Sequence, residues 1–193
     1  MKLKLLGLML CLPLIAQAQI TKPEAITFSY FGDMITHPGI KIGLDYSIKT
    51  WEKDHSKNNS LTKSITKSWI ISPNIAYYYH RRYQSGLLIL PEIQYSRQNQ
   101  KGNQLALGFG LGGLKTFVPN VYEPTPNGEV KKAKAGMGYF ASSYFISFGK
   151  DLSAKSEIPL EYFIKPQFLL ALPNFPNNTG YFFLELGLKY KLR

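Results

Sequence analysis

Seven charged side chains carry most of the chemistry open to this chain: Lys41, Asp45, Glu92, Glu161, Lys165, Glu185 and Lys189. Each lies in a segment where polar and apolar residues alternate, and each falls on the polar side. Carboxylates and ammonium groups that share a dry interior have two uses. They neutralise one another in a salt-bridge network, since a lone buried charge is costly, or they line a path for protons or ions. The three histidines, His37, His55 and His80, are far apart, and none has a second at helical or hairpin spacing. A metal site needs several ligands to converge, so none of them is assigned to metal. The chain contains neither a Gly-x-Ser-x-Gly nucleophile elbow nor a His-x-Ser-Asn type motif. Gly108, Gly110, Gly112 and Gly113 are not followed by the lysine-threonine pair and helix of a phosphate loop. The residues therefore lead to a non-enzymatic protein with no catalytic, cofactor-binding or metal residue and no cofactor.

The elements that position the seven charges are strands. In Gly180–Arg193 (GYFFLELGLKYKLR), Phe182, Leu184, Leu186, Leu188, Tyr190 and Leu192 fall on one face of an extended chain. Glu185, Gly187, Lys189, Lys191 and Arg193 fall on the other, with Tyr181 and Phe183. The alternation recurs at 40–49, 86–97, 104–114, 138–149 and 158–172, less cleanly at 66–80, and briefly at 25–33. In the segment 40–49, Lys49 shares the polar side with Lys41 and Asp45, and Trp51 closes the strand where an interfacial aromatic belongs. Gly108, Gly110 and Gly112 form a row on the polar face of 104–114, expected to leave room for large side chains from the opposite wall. Pro126-Asn127-Gly128 is the strongest turn signal, the tip of a hairpin within 118–135. The tally is about eight strands of ten or so residues, enough for tilted strands to cross a bilayer. Two long connections, 53–64 and 118–135, are separated by three strands and so belong at opposite ends. Short turns at one end and long loops at the other are the usual arrangement, so either two strands are miscounted or one long loop lies at the short-turn end.

The 193 residues allow one domain. Residues 1–18 read as a secretory signal: Lys2 and Lys4, an apolar run from Leu5 to Ile15, and Ala16-Gln17-Ala18 before the cut. That run is too short to span a bilayer as a helix. Cys11, the single cysteine, is expected to leave with it, so the mature chain 19–193 would use no disulfide or thiolate. Without Lys2 and Lys4 the formal charge falls from +11 to +9. Outside the cytoplasm, lipid headgroups or lipopolysaccharide phosphates are the expected counter-charges, and nucleic acid is not. An exported chain with alternating strands and no long apolar run is expected to be all-β: a single antiparallel up-and-down transmembrane β-barrel, with apolar side chains facing lipid and charged ones facing the lumen.

The whole mature pattern resembles the small outer-membrane β-barrels of Gram-negative bacteria, of the OmpX and OmpA membrane-domain kind. The most specific piece is Glu185-Leu186-Gly187-Leu188-Lys189-Tyr190-Lys191-Leu192. It is similar, position by position, to the C-terminal signal those proteins present to the barrel-insertion machinery: polar, any, Gly, two of any, hydrophobic, any, hydrophobic. The chain departs from that pattern in ending Leu192-Arg193 rather than on an aromatic. The resemblance implies the outer membrane as location, and its lipid, lipopolysaccharide and the insertion machinery as partners. It also implies a role in adhesion, envelope integrity or protection. Lipid-modifying barrel enzymes such as lipid A deacylases share the size and architecture, and form the enzymatic alternative. A soluble periplasmic lipocalin-like carrier, with its apolar faces turned inward, is the third.

Overall fold

The computed structural model describes residues 22–32, 38–55, 63–79, 84–124, 127, 129–172 and 179–192. The segment read as a signal, His37, His80, Pro126 and Gly128 lie outside the described residues. Every element is a strand: β1 (Ala25–Gly32), β2 (Gly39–His55), β3 (Lys63–Ser72), β4 (Asn74–Tyr78), β5 (Ser85–Ile89), β6 (Glu92–Asn99), β7 (Asn103–Pro124), β8 (Val130–Ala135), β9 (Gly138–Asp151), β10 (Leu160–Leu172) and β11 (Thr179–Lys191). All pairings are antiparallel, and they run in a ring: β1 pairs with both β2 and β11, so the last strand meets the first.

Proline accounts for two of the divisions. Pro73 separates β3 from β4, and Leu90-Pro91 separates β5 from β6. A proline has no N–H to give to a ladder. The chain resumes past each break in the same wall, with β3 and β4 both pairing β2, and β5 and β6 both pairing β7. With β8 and β9 likewise both paired to β7 on either side of Gly136-Met137, the described residues make eight continuous runs. The fold is thus all-β and antiparallel, as expected, and the two long connections do lie at opposite ends. The paired strands of the β2–β3 hairpin extend at the end where Leu192 N–H donates to Glu24 O, and those of the β7–β8 hairpin at the other. The eight runs agree with the tally of about eight strands, and the Glu24 end carries both a tight turn and the long β2–β3 hairpin. At that end, Gly102 takes φ 80° to close the tight β6–β7 turn, capped by Asn99 Oδ1 accepting from the Lys101 and Asn103 N–H groups.

The two faces of the ring differ as alternation requires. Phe28, Ile42, Phe109, Phe148, Leu186 and Leu188 are exposed on the outside, Leu188 at 53%, while Lys41, Glu161 and Lys165 are buried. Four sequence expectations need correction. Both strands of the first long hairpin run on through the polar segment, with Lys53, Asp54 and His55 paired to Ile65, Ser64 and Lys63. Backbone pairing there needs no apolar face, so Trp51 does not end the strand. A β-bulge between Ser47 and Lys49 inserts one residue, and the parity flips beyond it. Lys49 is therefore exposed, its ammonium 5.9 Å from the Trp51 ring, and it does not join Lys41 and Asp45. The glycine row makes room for adjacent strands rather than the opposite wall. A Cβ on Gly108 would overlap the ring of Phe145, its register partner on β9, and one on Gly110 would crowd Ser143 and Glu92. Finally, the enclosed face is not polar throughout. Phe31, Tyr78, Leu88, Leu114, Leu169 and Phe183 form a buried apolar layer near the end away from Glu24.

Candidate functional site

The enclosed face holds the chemistry. β2 delivers Lys41, β6 Glu92, β10 Lys165 and β11 Glu185, each at an inward position of its strand. The four make a closed square. Lys41 Nζ lies 2.6 Å from Glu92 and 3.1 Å from Glu185; Lys165 Nζ lies 3.0 Å from Glu92 and 2.7 Å from Glu185. Each cation thus meets both anions, and the square sums to zero charge. Ser29 Oγ donates to Glu185 at 2.7 Å and Gln167 Nε2 to Glu92 at 3.2 Å, so the carboxylate oxygens are further bonded. Desolvating four charges is offset only by this kind of dense pairing. Aromatic rings face the cations as well: Phe145 is 4.5 Å from Lys165 Nζ and Phe31 is 5.5 Å from Lys41 Nζ.

A second cluster lies toward the end carrying Glu24 and Leu192. Lys189 Nζ sits 2.9 Å from Asp45 and 3.6 Å from Glu161, and Ser72 Oγ donates to Asp45 at 2.6 Å. Beyond it, at the rim, Lys191 is bonded to Asp151, which also accepts from Gln98 at 2.8 Å. A polar cavity of about 320 Å³ opens among these groups, bordered by Glu24, Thr50, Gln98 and Glu161. On the far side of the square the apolar layer fills the ring. Phe31 stacks on Phe183 at 4.4 Å, and Tyr78 and Tyr181 pack on Phe183 at 5.6 and 5.8 Å. The arrangement binds charge tightly at mid-height, admits solvent from one end and is closed by rings at the other.

All seven charges singled out by alternation are brought together here, in two clusters rather than one. Asp151 escaped sequence reasoning, although it shares the parity of the inward Ser147 and Gly149 on β9. The apolar interior layer escaped it too, because Phe183 and Tyr78 sit on faces that read as mixed. Of the histidines, only His55 belongs to a described strand, at the end of β2. Among the described residues no group of three or more His, Cys, Asp or Glu is placed to hold a metal ion. Comparison with known proteins adds nothing to this geometry. No protein-family model, curated protein or solved structure matches the chain.

Proposed function

We propose that the chain is a small outer-membrane β-barrel, similar in kind to OmpX and the OmpA membrane domain. In this reading it is not an enzyme; it acts through its surface or projecting hairpins in adhesion or envelope integrity. The observation that carries the proposal is sidedness. Large apolar side chains stay exposed all the way round the ring, on β1, β2, β4, β7, β9, β10 and β11, while the ion pairs are inside. Soluble monomers rarely expose a contiguous apolar area of more than a few hundred Å². In a bilayer the same belt is the favourable face. A soluble carrier would instead turn Leu186 and Leu188 toward an internal cavity, and both are exposed.

Two features support the remaining parts. Trp69, Tyr95, Tyr162 and Tyr190 decorate the outside toward one end, and Tyr77 and Tyr79 toward the other, as interfacial aromatics do. The square and the apolar layer fill a ring of eight runs, whose interior has little room beyond its own side chains, so the barrel is plugged rather than a pore. Outer-membrane lipid, lipopolysaccharide and the insertion machinery are the partners this reading calls for.

Cell fractionation combined with gel migration tests it. The protein is expected with the outer membrane, soluble only with detergent, and an unheated sample should migrate apart from a boiled one. A protein that stays in solution without detergent and migrates identically in both samples would contradict the reading.

A further inference from the structure

Two hollows on the outer surface meet at Ile89. One, about 630 Å³, runs from Leu44, Pro73 and Pro91 at mid-wall past Ile75. The other, about 320 Å³, continues from Ile89 across Gly113 to Lys115 and Gly138. The proline breaks explain the first: both neighbouring runs are interrupted at the same level, so the wall is dented there. Glycine explains the second. A Cβ on Gly138 would meet nothing within 4 Å, and one on Gly113 only the Tyr139 carbonyl at 3.9 Å. Neither has a positive φ. Unlike Gly108 and Gly110, these two glycines answer no packing need of the fold; what their missing side chains leave is the groove.

The groove ends on a cation. Lys115 is exposed, and its register partners Leu87 and Gly138 are both exposed and apolar or bare. Among the described residues its ammonium meets one acceptor, the Gly136 carbonyl at 3.4 Å, so donors remain. An apolar trough that climbs from mid-wall to the rim and finishes beside the Lys115 ammonium has the polarity of a lipid: chain below, anionic headgroup above. We propose that this groove seats one acyl chain of a phosphate-bearing anionic membrane lipid, whose phosphate accepts from Lys115. The inference rests on the membrane-barrel reading and adds to it a lipid class and a place.

Native mass spectrometry of the detergent-solubilised protein, offered phosphatidylglycerol or phosphatidylcholine of identical acyl chains, is the test. The wild type is expected to retain one phosphatidylglycerol with about fivefold preference, the worth of one lysine at a membrane surface. Lys115→Gln should bring retention down to the phosphatidylcholine level, and Lys115→Arg should keep the preference. Gly113→Leu combined with Gly138→Leu, which fills the trough, should lower retention of both lipids. Inorganic phosphate should not displace the lipid. Equal retention of the two lipids by the wild type, an unchanged preference in Lys115→Gln, or displacement by phosphate alone would overturn the seat. Heat-modifiable migration of each variant separates this failure from that of the parent reading. A protein that never yields a heat-modifiable form fails as a barrel, and the seat falls with it. One that yields it and shows no preference fails only here.

Discussion

Lys41 and Lys165 each face Glu92 and Glu185, so no member of the square can be removed without leaving its neighbours unbalanced. Breaking a buried ion pair from one side costs about 3–5 kcal/mol, because the partner charge stays buried. Glu185→Gln is therefore expected to destabilise the folded protein by about 3 kcal/mol or more, read as the urea midpoint of the heat-modifiable form in micelles. Adding Lys165→Gln restores neutrality, and the double variant should lose less than the sum of the two single ones by about 1–3 kcal/mol. Additive losses would mean that the square is not a unit. The members of this cluster were legible in the sequence because inward positions repeat every second residue. Their grouping was not, since alternation fixes a face and says nothing of height around a ring. Lys49 shows the other limit: one inserted residue at the bulge reverses every assignment beyond it, and nothing in the run YSIKTW marks the insertion.

β11 unites the sequence signature with packing. Its polar position, Glu185, is a corner of the square. Its glycine, Gly187, is where the Phe163 ring lies: a Cβ there would sit 2.5 Å from Phe163 and 2.6 Å from Ser29 Cβ. Tyr190 and Leu192, the hydrophobic positions, are on the outside. The strand thus has folding reasons for two residues that the resemblance assigns to recognition by the insertion machinery. Gly187→Ala is expected to cost about 1–3 kcal/mol through overpacking, and Phe163→Leu in the same chain should recover part of that loss. No recovery would place the requirement for glycine elsewhere than Phe163. Strand existence and pairing order were readable from alternation and turn residues. Strand ends were not: β2, β3 and β7 run into polar sequence because hydrogen-bonded ladders continue wherever two backbones stay side by side.

At the scale of the whole molecule, the ring turns an apolar surface outward and holds its charges inside, closed near one end by stacked aromatics. The sequence disclosed the outward face and the charges. It did not disclose the apolar inner layer, because Phe31, Leu88 and Phe183 interrupt polar faces singly and become a layer only when the strands are set side by side. The membrane reading predicts that purified protein in planar bilayers gives no steady open-pore current, since square and rings together block the interior; a stable ohmic conductance would contradict the plug. The orientation itself is tested by spin labels at Leu188→Cys and, as aqueous reference, Ala154→Cys in the β9–β10 turn, both in a Cys11→Ser background and reconstituted in lipid vesicles. The Leu188 label is predicted to collide with dissolved oxygen and to be shielded from a water-soluble nickel chelate, with the reverse at Ala154. A Leu188 label that meets the chelate as readily as the Ala154 label would contradict the account.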